Sequence, residues 1–205
     1  MSSGSVVGMI HRMDAMGRQR LSNIIRYFAR NTEVCGKIKL FKLLYLLDFQ
    51  HVRETGKPVI GLDYQAWKFG PVPVQVMESW DDPETEVAEG CTIVSQTVFD
   101  YPRQTIVADP GYDFDEDIFS RRELRIMREL AEKYRSSLSS AMIDVTHQQN
   151  GAWDKVWQDG RGAYEPIPFE MAIPDEDPHA SVLREIHGDY QARNRAAKEL
   201  ARSGD

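Results

Sequence analysis

Long apolar runs, export signals and cysteines are all scarce in this chain of 205 residues. No apolar stretch approaches the roughly 18 residues of a membrane-spanning helix, and the first residues, MSSGSVVGMIHRMDAMG, lack the apolar core of a signal peptide. Two cysteines, Cys35 and Cys91, do not make a disulfide framework. We therefore expect a cytoplasmic protein with two reduced thiols and no membrane partner.

Basic residues are also fewer than acidic residues. Lys and Arg number 25 against 32 Asp and Glu, which gives a net charge of −7 at pH 7. Broad phosphate binding needs clustered Lys and Arg, so the composition disfavours nucleic acid as a partner and is compatible with a basic protein. Charged residues at 28% and hydrophobic residues at 41% indicate one globular domain with a substantial core.

Recognisable catalytic motifs are missing as well. The sequence has no G-x-S-x-G, H-E-x-x-H, glycine-rich phosphate loop or paired-carboxylate motif. A nucleophile built from Cys35 or Cys91 with His147 is conceivable, but nothing in the sequence places either thiol where its pKa would be lowered. We expect no enzyme, no catalytic residue and no cofactor.

Two patterns have some of the ligands of a metal site. Asp48 and His51 lie one turn apart on a predicted helix, but zinc needs three or four convergent ligands, and only Cys35 is a nearby soft candidate. The more economical interpretation is that Asp48 or His51 bonds to the backbone or to a neighbouring side chain.

The second pattern, Asp113, Asp115 and Asp117, is similar to the start of a calcium loop. Ile118 stands where that loop needs glycine, and Leu124 stands where it needs a bidentate glutamate. An acidic loop entering a helix N-terminus accounts for the same residues without an ion. We therefore expect no metal in either place.

The most informative segment that is present runs from Lys37 to Pro73. Apolar residues surround the predicted helix 37–55 on nearly every side, so it must lie inside a domain or between partners. Gly56 suits the left-handed residue that ends such a helix. Alternation predicts a strand over 63–69, followed by the proline-braced loop Gly70-Pro71-Val72-Pro73.

This segment resembles the hallmark of the Panacea domain, found in SocA-like antitoxins of bacterial and phage toxin–antitoxin systems. The pattern is K-L-x-Y-x-x-D-x-x-H, then T-G, then G-x-x-Y, then G-P-V-P. We interpret the matching residues as a structural motif: Lys42, Tyr45, Asp48, His51, Gly56, Gly61, Tyr64 and Gly70. A weaker match, FSRRELRIMRELAEKYRSSLSSAMIDVTHQQNGAW, is similar to the family's later pair of helices.

The resemblance and the periodicity together predict the organisation of the chain. We expect an α+β fold that is predominantly helical, with a single domain, a small antiparallel sheet and a C-terminal helical extension. The sheet is predicted from strand 63–69 and a hairpin over 91–108, connected by the turn DYPR. Further helices are predicted near 21–31, near 74–80, after a capping box at Ser120 and Glu123, over 140–147, around Trp153 and Trp157, and from about 182 onward.

The predicted boundaries are a flexible N-terminus at 1–19, an antitoxin-like domain at 20–160, and a linker plus amphipathic helix at 161–205. Residues 165–178, EPIPFEMAIPDEDP, contain four prolines, which indicates a linker or an extended strap. The acidic segment 81–90 and the extension 165–205 depart from the family pattern. Accessory segments of this kind are where a specific partner would be selected.

The resemblance implies an antitoxin that neutralises a cognate protein toxin by direct binding. Candidate partner-binding residues are those that put aromatic rings and prolines on the strand and its exit loop: Lys68, Phe69, Pro71, Val72, Pro73 and Trp80. Trp67 and Val76 belong to the same cluster, and all of these residues are ordinary core if buried. The edge of strand 63–69 is a further candidate, for strand addition.

Two alternative functions stay open. A proteolysis adaptor that delivers the toxin to a Clp-type protease would use the same fold. A DNA-binding regulator of its own operon would need a basic surface, for which the candidates are a modest patch beside Trp67 and Phe69: Lys37, Lys39, Lys42, Arg53, Lys57 and Lys68. A solvated rim around a buried helix explains the same lysines. The oligomeric state is left open.

Overall fold

A computed structural model describes residues 13–82, 84–98, 100–147 and 151–203. Within these ranges the chain forms seven α-helices and four β-strands: α1 Ala15–Asn31, α2 Lys37–Thr55, β1 Tyr64–Trp67, β2 Gly70–Pro73, α3 Val74–Asp81, β3 Cys91–Val98, β4 Tyr101–Ala108, α4 Arg121–Lys133, α5 Ser139–Thr146, α6 Ala152–Trp157 and α7 Ala180–Ser203. The predicted fold class is confirmed. In the part of the chain that the structure describes, no helix is both long and apolar enough to cross a membrane.

Helix α2 forms the centre of the fold, as its apolar residues predict. Leu40, Leu43, Leu44 and Leu47 are fully buried, and the helix contacts α1, α4, α5 and α7 as well as β2. It ends where expected, because Gly56 has φ +76 and its N–H donates to the Val52 carbonyl. This mostly buried helix is therefore the axis around which the other elements pack.

The sheet differs from the predicted one. Strand β1 pairs with β2 in an antiparallel hairpin, and β3 pairs with β4 in a separate two-stranded sheet. The predicted loop Gly70–Pro73 is therefore a strand. The chain reverses over Lys68 and Phe69, and Gly70 at φ +96 supplies the left-handed residue that lets it return along β1.

The second hairpin is confirmed with a shorter connection than predicted. Strands β3 and β4 pair from Cys91 with Ala108 to Val98 with Tyr101, so most of DYPR belongs to β4. Ile106 is buried, and its N–H donates to the Cys35 carbonyl at 2.9 Å. That bond attaches the hairpin to the segment before α2.

The predicted helix starts are largely confirmed. Ser120 and Glu123 form the expected capping box at the start of α4, with both reciprocal hydrogen bonds present. Helix α1 starts earlier than predicted, at Ala15, where the Asp14 side chain accepts from the Gly17 N–H. Residues 1–12 of the predicted flexible N-terminus lie outside the described residues.

The strap (residues 165–178) is part of the fold. The Ala66 N–H donates to the Glu165 carbonyl at 2.9 Å, and the Ile167 N–H donates to the Tyr64 carbonyl at 2.8 Å. The strap thus covers the edge of β1 that β2 leaves open, so the predicted free edge for strand addition is wrong. Helix α7 follows, confirmed as a C-terminal helix, and its first half packs on α2 through Leu183 and His187.

Candidate partner-binding surface

Four donors converge on the carboxylate of Asp48, which is fully buried on α2. The backbone N–H groups of Val59, Ile60 and Gly61 donate to it at 2.8, 2.7 and 3.2 Å, and the Tyr64 hydroxyl donates at 3.0 Å. The prediction of an internal hydrogen bond at Asp48 is confirmed. One side chain thereby fixes both the loop after α2 and the first residue of β1.

The electrostatic environment of Asp48 is set by two opposing effects. Burial raises the pKa of the carboxyl to about 6, while the hydrogen bonds from the backbone and from Tyr64 act in the other direction. All four of these groups donate to Asp48, so the site is arranged around a hydrogen-bond acceptor. The role of Asp48 is therefore to organise the backbone around it.

Lys42 performs the equivalent task for β2. Its side chain is 2% exposed, and its Nζ donates to the Pro71 carbonyl at 2.9 Å. A Cβ on Gly70 would lie 2.8 Å from this Nζ and 2.8 Å from the Thr146 Oγ1, so only glycine fits there. Burial lowers the pKa of Lys42 to about 7. Lys42 and Gly70, both residues of the structural motif, are thus in close contact with each other.

A third set of contacts holds the end of β1. The buried Tyr45 ring packs against the Phe49 and Tyr64 rings, with 4.1 and 5.6 Å between ring centres. The Trp153 indole N–H donates to the Trp67 carbonyl at 3.1 Å, and the ring stacks on His147 at 3.8 Å and on Trp157 at 5.5 Å. Helix α6 therefore positions the last residue of the strand.

His51, Gly56 and Gly61 lie at the C-terminal end of α2. The His51 ring bonds to the Lys57 carbonyl through Nδ1 at 2.6 Å, which confirms the structural interpretation of this histidine. A Cβ on Gly56 would lie 2.6 Å from the Leu183 carbonyl, and the Gly56 carbonyl accepts from His187 at 3.0 Å. A Cβ on Gly61 would lie 2.6 Å from the Tyr190 hydroxyl. Gly56 and Gly61 are therefore the positions where α7 closely approaches the loop after α2.

The structure divides the predicted partner-binding residues into two groups. Lys68 and Phe69 form the exposed tip of the hairpin, with Phe69 59% exposed. The other members of the set are buried: Pro71, Val72, Pro73 and Trp80. Trp80 packs edge-on against Phe41, and its indole N–H donates to the Gln104 side chain at 3.0 Å. Only the tip is directly accessible to a partner.

The sequence placed Trp67 and Phe69 on one strand face. In the structure β1 ends at Trp67, so the alternation stops before Phe69. Trp67 is half-buried and packs edge-on against Tyr164 at 5.1 Å, whereas Phe69 projects from the turn with the Lys68 Nζ 5.7 Å from its ring centre. Tyr164 was missed in the sequence, where the glycines of QDGRGAY are the only sign of a tight loop before it.

The basic patch considered for nucleic acid is dispersed. Lys39 and Lys42 are buried, and the Lys39 Nζ donates to the carbonyls of Glu33 and Arg135 at 2.8 and 2.7 Å. Lys37 pairs with Asp81. The interpretation of these lysines as a solvated rim is therefore wrong for Lys39 and Lys42, whose amines satisfy backbone carbonyls.

The candidate thiols and acids have local structural roles. Cys35 and Cys91 are buried and free, and burial raises the pKa of their thiols to about 11 and about 12, so both are protonated at neutral pH. Asp115 accepts from the Asp117 N–H at 3.0 Å in an exposed turn. Among the described residues, no group of three or more His, Cys, Asp or Glu is arranged to hold a metal ion.

A separate groove of about 1360 Å³ runs along the outward side of α2. Its lining includes the apolar side chains of Leu46 and Phe49, the cations Lys133 and Lys155, and Asp175 of the strap. It combines apolar surface with charges of both signs. It is a second concave surface, lined in part by α4 and α7 and formed apart from the hairpin tip.

Comparison with known proteins identifies one family. Residues 40–154 match the family model described as "Antitoxin SocA-like, Panacea domain", and this match covers more than half of the chain. No curated protein and no solved structure matches the chain. The matched region begins inside α2 and ends inside α6, so it contains the Asp48, Lys42 and Tyr45 contacts and the hairpin tip.

Proposed function

The chain belongs to the SocA-like antitoxin family with a Panacea domain, and on that basis we propose that it neutralises a cognate protein toxin by binding it directly in the cytoplasm. We expect no catalytic turnover. The observation that supports direct binding is an exposed hairpin tip, Lys68 and Phe69, held by a buried polar network. The family match indicates the class of partner, and the tip is the surface where we expect that partner to bind.

The tip has the physical properties of an interface anchor. Phe69 presents a large ring to solvent on a two-residue turn, and aromatic residues in such positions contribute a large share of binding energy. The backbone beneath it is fixed by Lys42 on one strand and by Asp48 through Tyr64 on the other. Little conformational entropy is therefore lost when the tip is bound.

The buried members of the predicted set act through the shape of the tip. Pro71 and Pro73 fix φ along β2, Val72 is buried in β2, and Trp80 is buried on α3 against Phe41 of α2. Substituting these four would change binding by unfolding or shifting the hairpin. Lys68 and Phe69 are the positions where binding and stability can be separated.

The test is co-expression with the product of the neighbouring gene, chosen because it is toxic when expressed alone. We expect this protein to restore growth and to co-elute with the purified toxin as a complex. The toxin level is measured in the same cells. A constant level with restored growth indicates sequestration, whereas a level that falls only in the presence of a Clp-type protease indicates an adaptor. Failure to bind any neighbouring toxic product would refute the proposal.

A further inference from the structure

Residues 158–164, here named the left-handed loop, hold an unusual backbone. Five non-glycine residues in the described ranges have positive φ, and three of them are in this loop: Gln158 at 45°, Asp159 at 57° and Tyr164 at 68°. Non-glycine residues rarely adopt this conformation because the Cβ crowds the backbone. Residues kept in such conformations cluster at ligand clamps and switch regions.

Contacts on both sides keep Tyr164 in this conformation. Its N–H donates to the Ala66 carbonyl at 2.8 Å, and the next residue, Glu165, accepts from the Ala66 N–H at 2.9 Å. At Gly162 a Cβ would lie 1.9 Å from the Val156 carbonyl oxygen, so no larger residue fits there. These contacts hold the loop between β1 and α6 and keep Tyr164 at positive φ.

The strained residue carries an exposed ring. The Tyr164 side chain is 63% exposed, although tyrosine is a residue that folded proteins commonly use to fill space. Its ring packs edge-on against the half-buried Trp67 with 5.1 Å between ring centres. The ring contributes little buried area to the fold, so the strain is not explained by packing. The exposed Tyr164 ring therefore lies beside the half-buried Trp67 ring, close to the hairpin tip.

The charges around the pair are unevenly engaged. The Arg161 Nε donates to the Gln158 carbonyl at 3.2 Å, and the Lys68 Nζ lies over Phe69. In contrast, the exposed carboxylates of Asp159 and Glu165 have no ion-pair or hydrogen-bond partner among the described residues. The carboxylates of Asp159 and Glu165 are therefore available to a ligand.

We propose that Trp67 and Tyr164 form the seat for an arginine of the toxin, with Asp159 and Glu165 supplying the counter-charge. Aromatic faces attract a guanidinium group, and the attraction grows when the cation is removed from water. The net charge of −7 favours a basic partner as a whole. This inference rests on the proposed function and specifies the chemistry by which the partner is recognised.

The decisive variant is Tyr164→Gly, with the dissociation constant for the purified toxin and the melting temperature measured together. Glycine tolerates positive φ, so the melting temperature should stay equal or rise by a few degrees. Affinity should fall about tenfold or more, because an aromatic anchor is lost. Tyr164→Phe keeps the ring and should bind like the parent.

Gln158→Gly is the matched control, because it relieves the same kind of strain in the same loop and leaves both rings and both carboxylates in place. It should bind like the parent. The double variant Asp159→Asn with Glu165→Gln should weaken binding and make the affinity less sensitive to salt. If the parent protein binds the toxin and Tyr164→Gly binds it equally well, the arginine seat is refuted but the proposed function is not. Parent protein that binds no toxin overturns the proposed function and this inference together.

Discussion

The Tyr64 hydroxyl donates to the Asp48 carboxylate at 3.0 Å, and this bond joins the central helix to the first strand of the β1–β2 hairpin. Both side chains are at most 2% exposed. The same carboxylate holds the three N–H groups of the connecting loop. The direction in which β1 leaves the core is therefore set by one acidic side chain.

Removing either partner should destabilise the protein by different amounts. Asp48→Ala leaves four buried donors without their acceptor and should lower the free energy of unfolding by about 3 kcal/mol or more. Tyr64→Phe removes one donor and should cost about 1–2 kcal/mol. Urea denaturation measures both. Equal effects, or a parent-like Asp48→Ala, would show that the network does not carry the stability assigned to it.

The pH dependence of stability should report the buried amine of Lys42. Its pKa is about 7 when folded and 10.5 as an ordinary lysine, so between these values the unfolded chain holds a proton that the folded chain lacks. Stability linked to this group should therefore rise as the pH rises from about 7 to about 10. Below pH 7 the folded protein holds the amine in its charged form, so the burial of that charge lowers the free energy of unfolding by its full amount.

Lys42→Met tests this by removing the titrating group. The melting temperature of Lys42→Met relative to the parent should be most favourable near pH 7 and least favourable near pH 10, whatever the effect of losing the bond to Pro71. Lys57→Met, at an exposed lysine in the loop after α2, is the control for replacing a lysine by methionine and is measured over the same pH range. A flat difference for Lys42→Met contradicts the prediction.

Phe69→Ala should separate binding from folding. The ring is exposed, so its removal should leave the melting temperature within about 2 °C of the parent. If the tip anchors the toxin, the affinity should fall by about 2 kcal/mol, which is more than tenfold. Growth rescue and the dissociation constant are the measurements.

Leu138→Ala provides the comparison, since Leu138 is 71% exposed and lies at the start of α5. It should bind and protect like the parent. Full protection by Phe69→Ala would instead direct attention to the groove along α2, where Leu46→Asp is the corresponding variant.

Two glycine substitutions should act in opposite directions. Gly70→Ala adds a Cβ at φ +96 that would overlap Lys42 and Thr146, so we expect a loss of about 1–3 kcal/mol. Gly188→Ala adds a Cβ into open space within α7 and should stabilise the protein by about 0.5–1 kcal/mol. Thermal unfolding of both variants checks the pair. A stable Gly70→Ala would show that the hairpin can shift at little cost.

The local signals in the sequence predicted much of this fold. The burial of α2, its end at Gly56 and the capping box at Ser120 all depend on residues within a few positions of one another. Asp48 and His51 on α2 were also interpreted correctly as structural residues, because a polar side chain on an otherwise apolar helix needs internal partners.

The parts that sequence reasoning missed depend on distant partners. The four residues Gly70–Pro73 are too short and too rich in proline to indicate a strand, and they become one only by pairing with β1. The burial of Lys39 and Lys42 follows from carbonyls supplied by other segments. Tyr164 gains its significance from Trp67, about 100 residues earlier, a contact that no periodicity encodes.

The pairing of β1 with the strap bears on how the protein is made. At about 5–20 residues per second, the strap is synthesised roughly 5–20 s after β1. Throughout that interval the nascent chain carries a strand whose second edge is unpaired, a feature that invites association with other strands. A chain terminated before Tyr164 would keep this unpaired strand edge permanently, so we expect the incomplete product to aggregate. It would also lack the end of the left-handed loop. Ribosomes that stall in this region would therefore release a product with neither the finished sheet nor the Tyr164 ring.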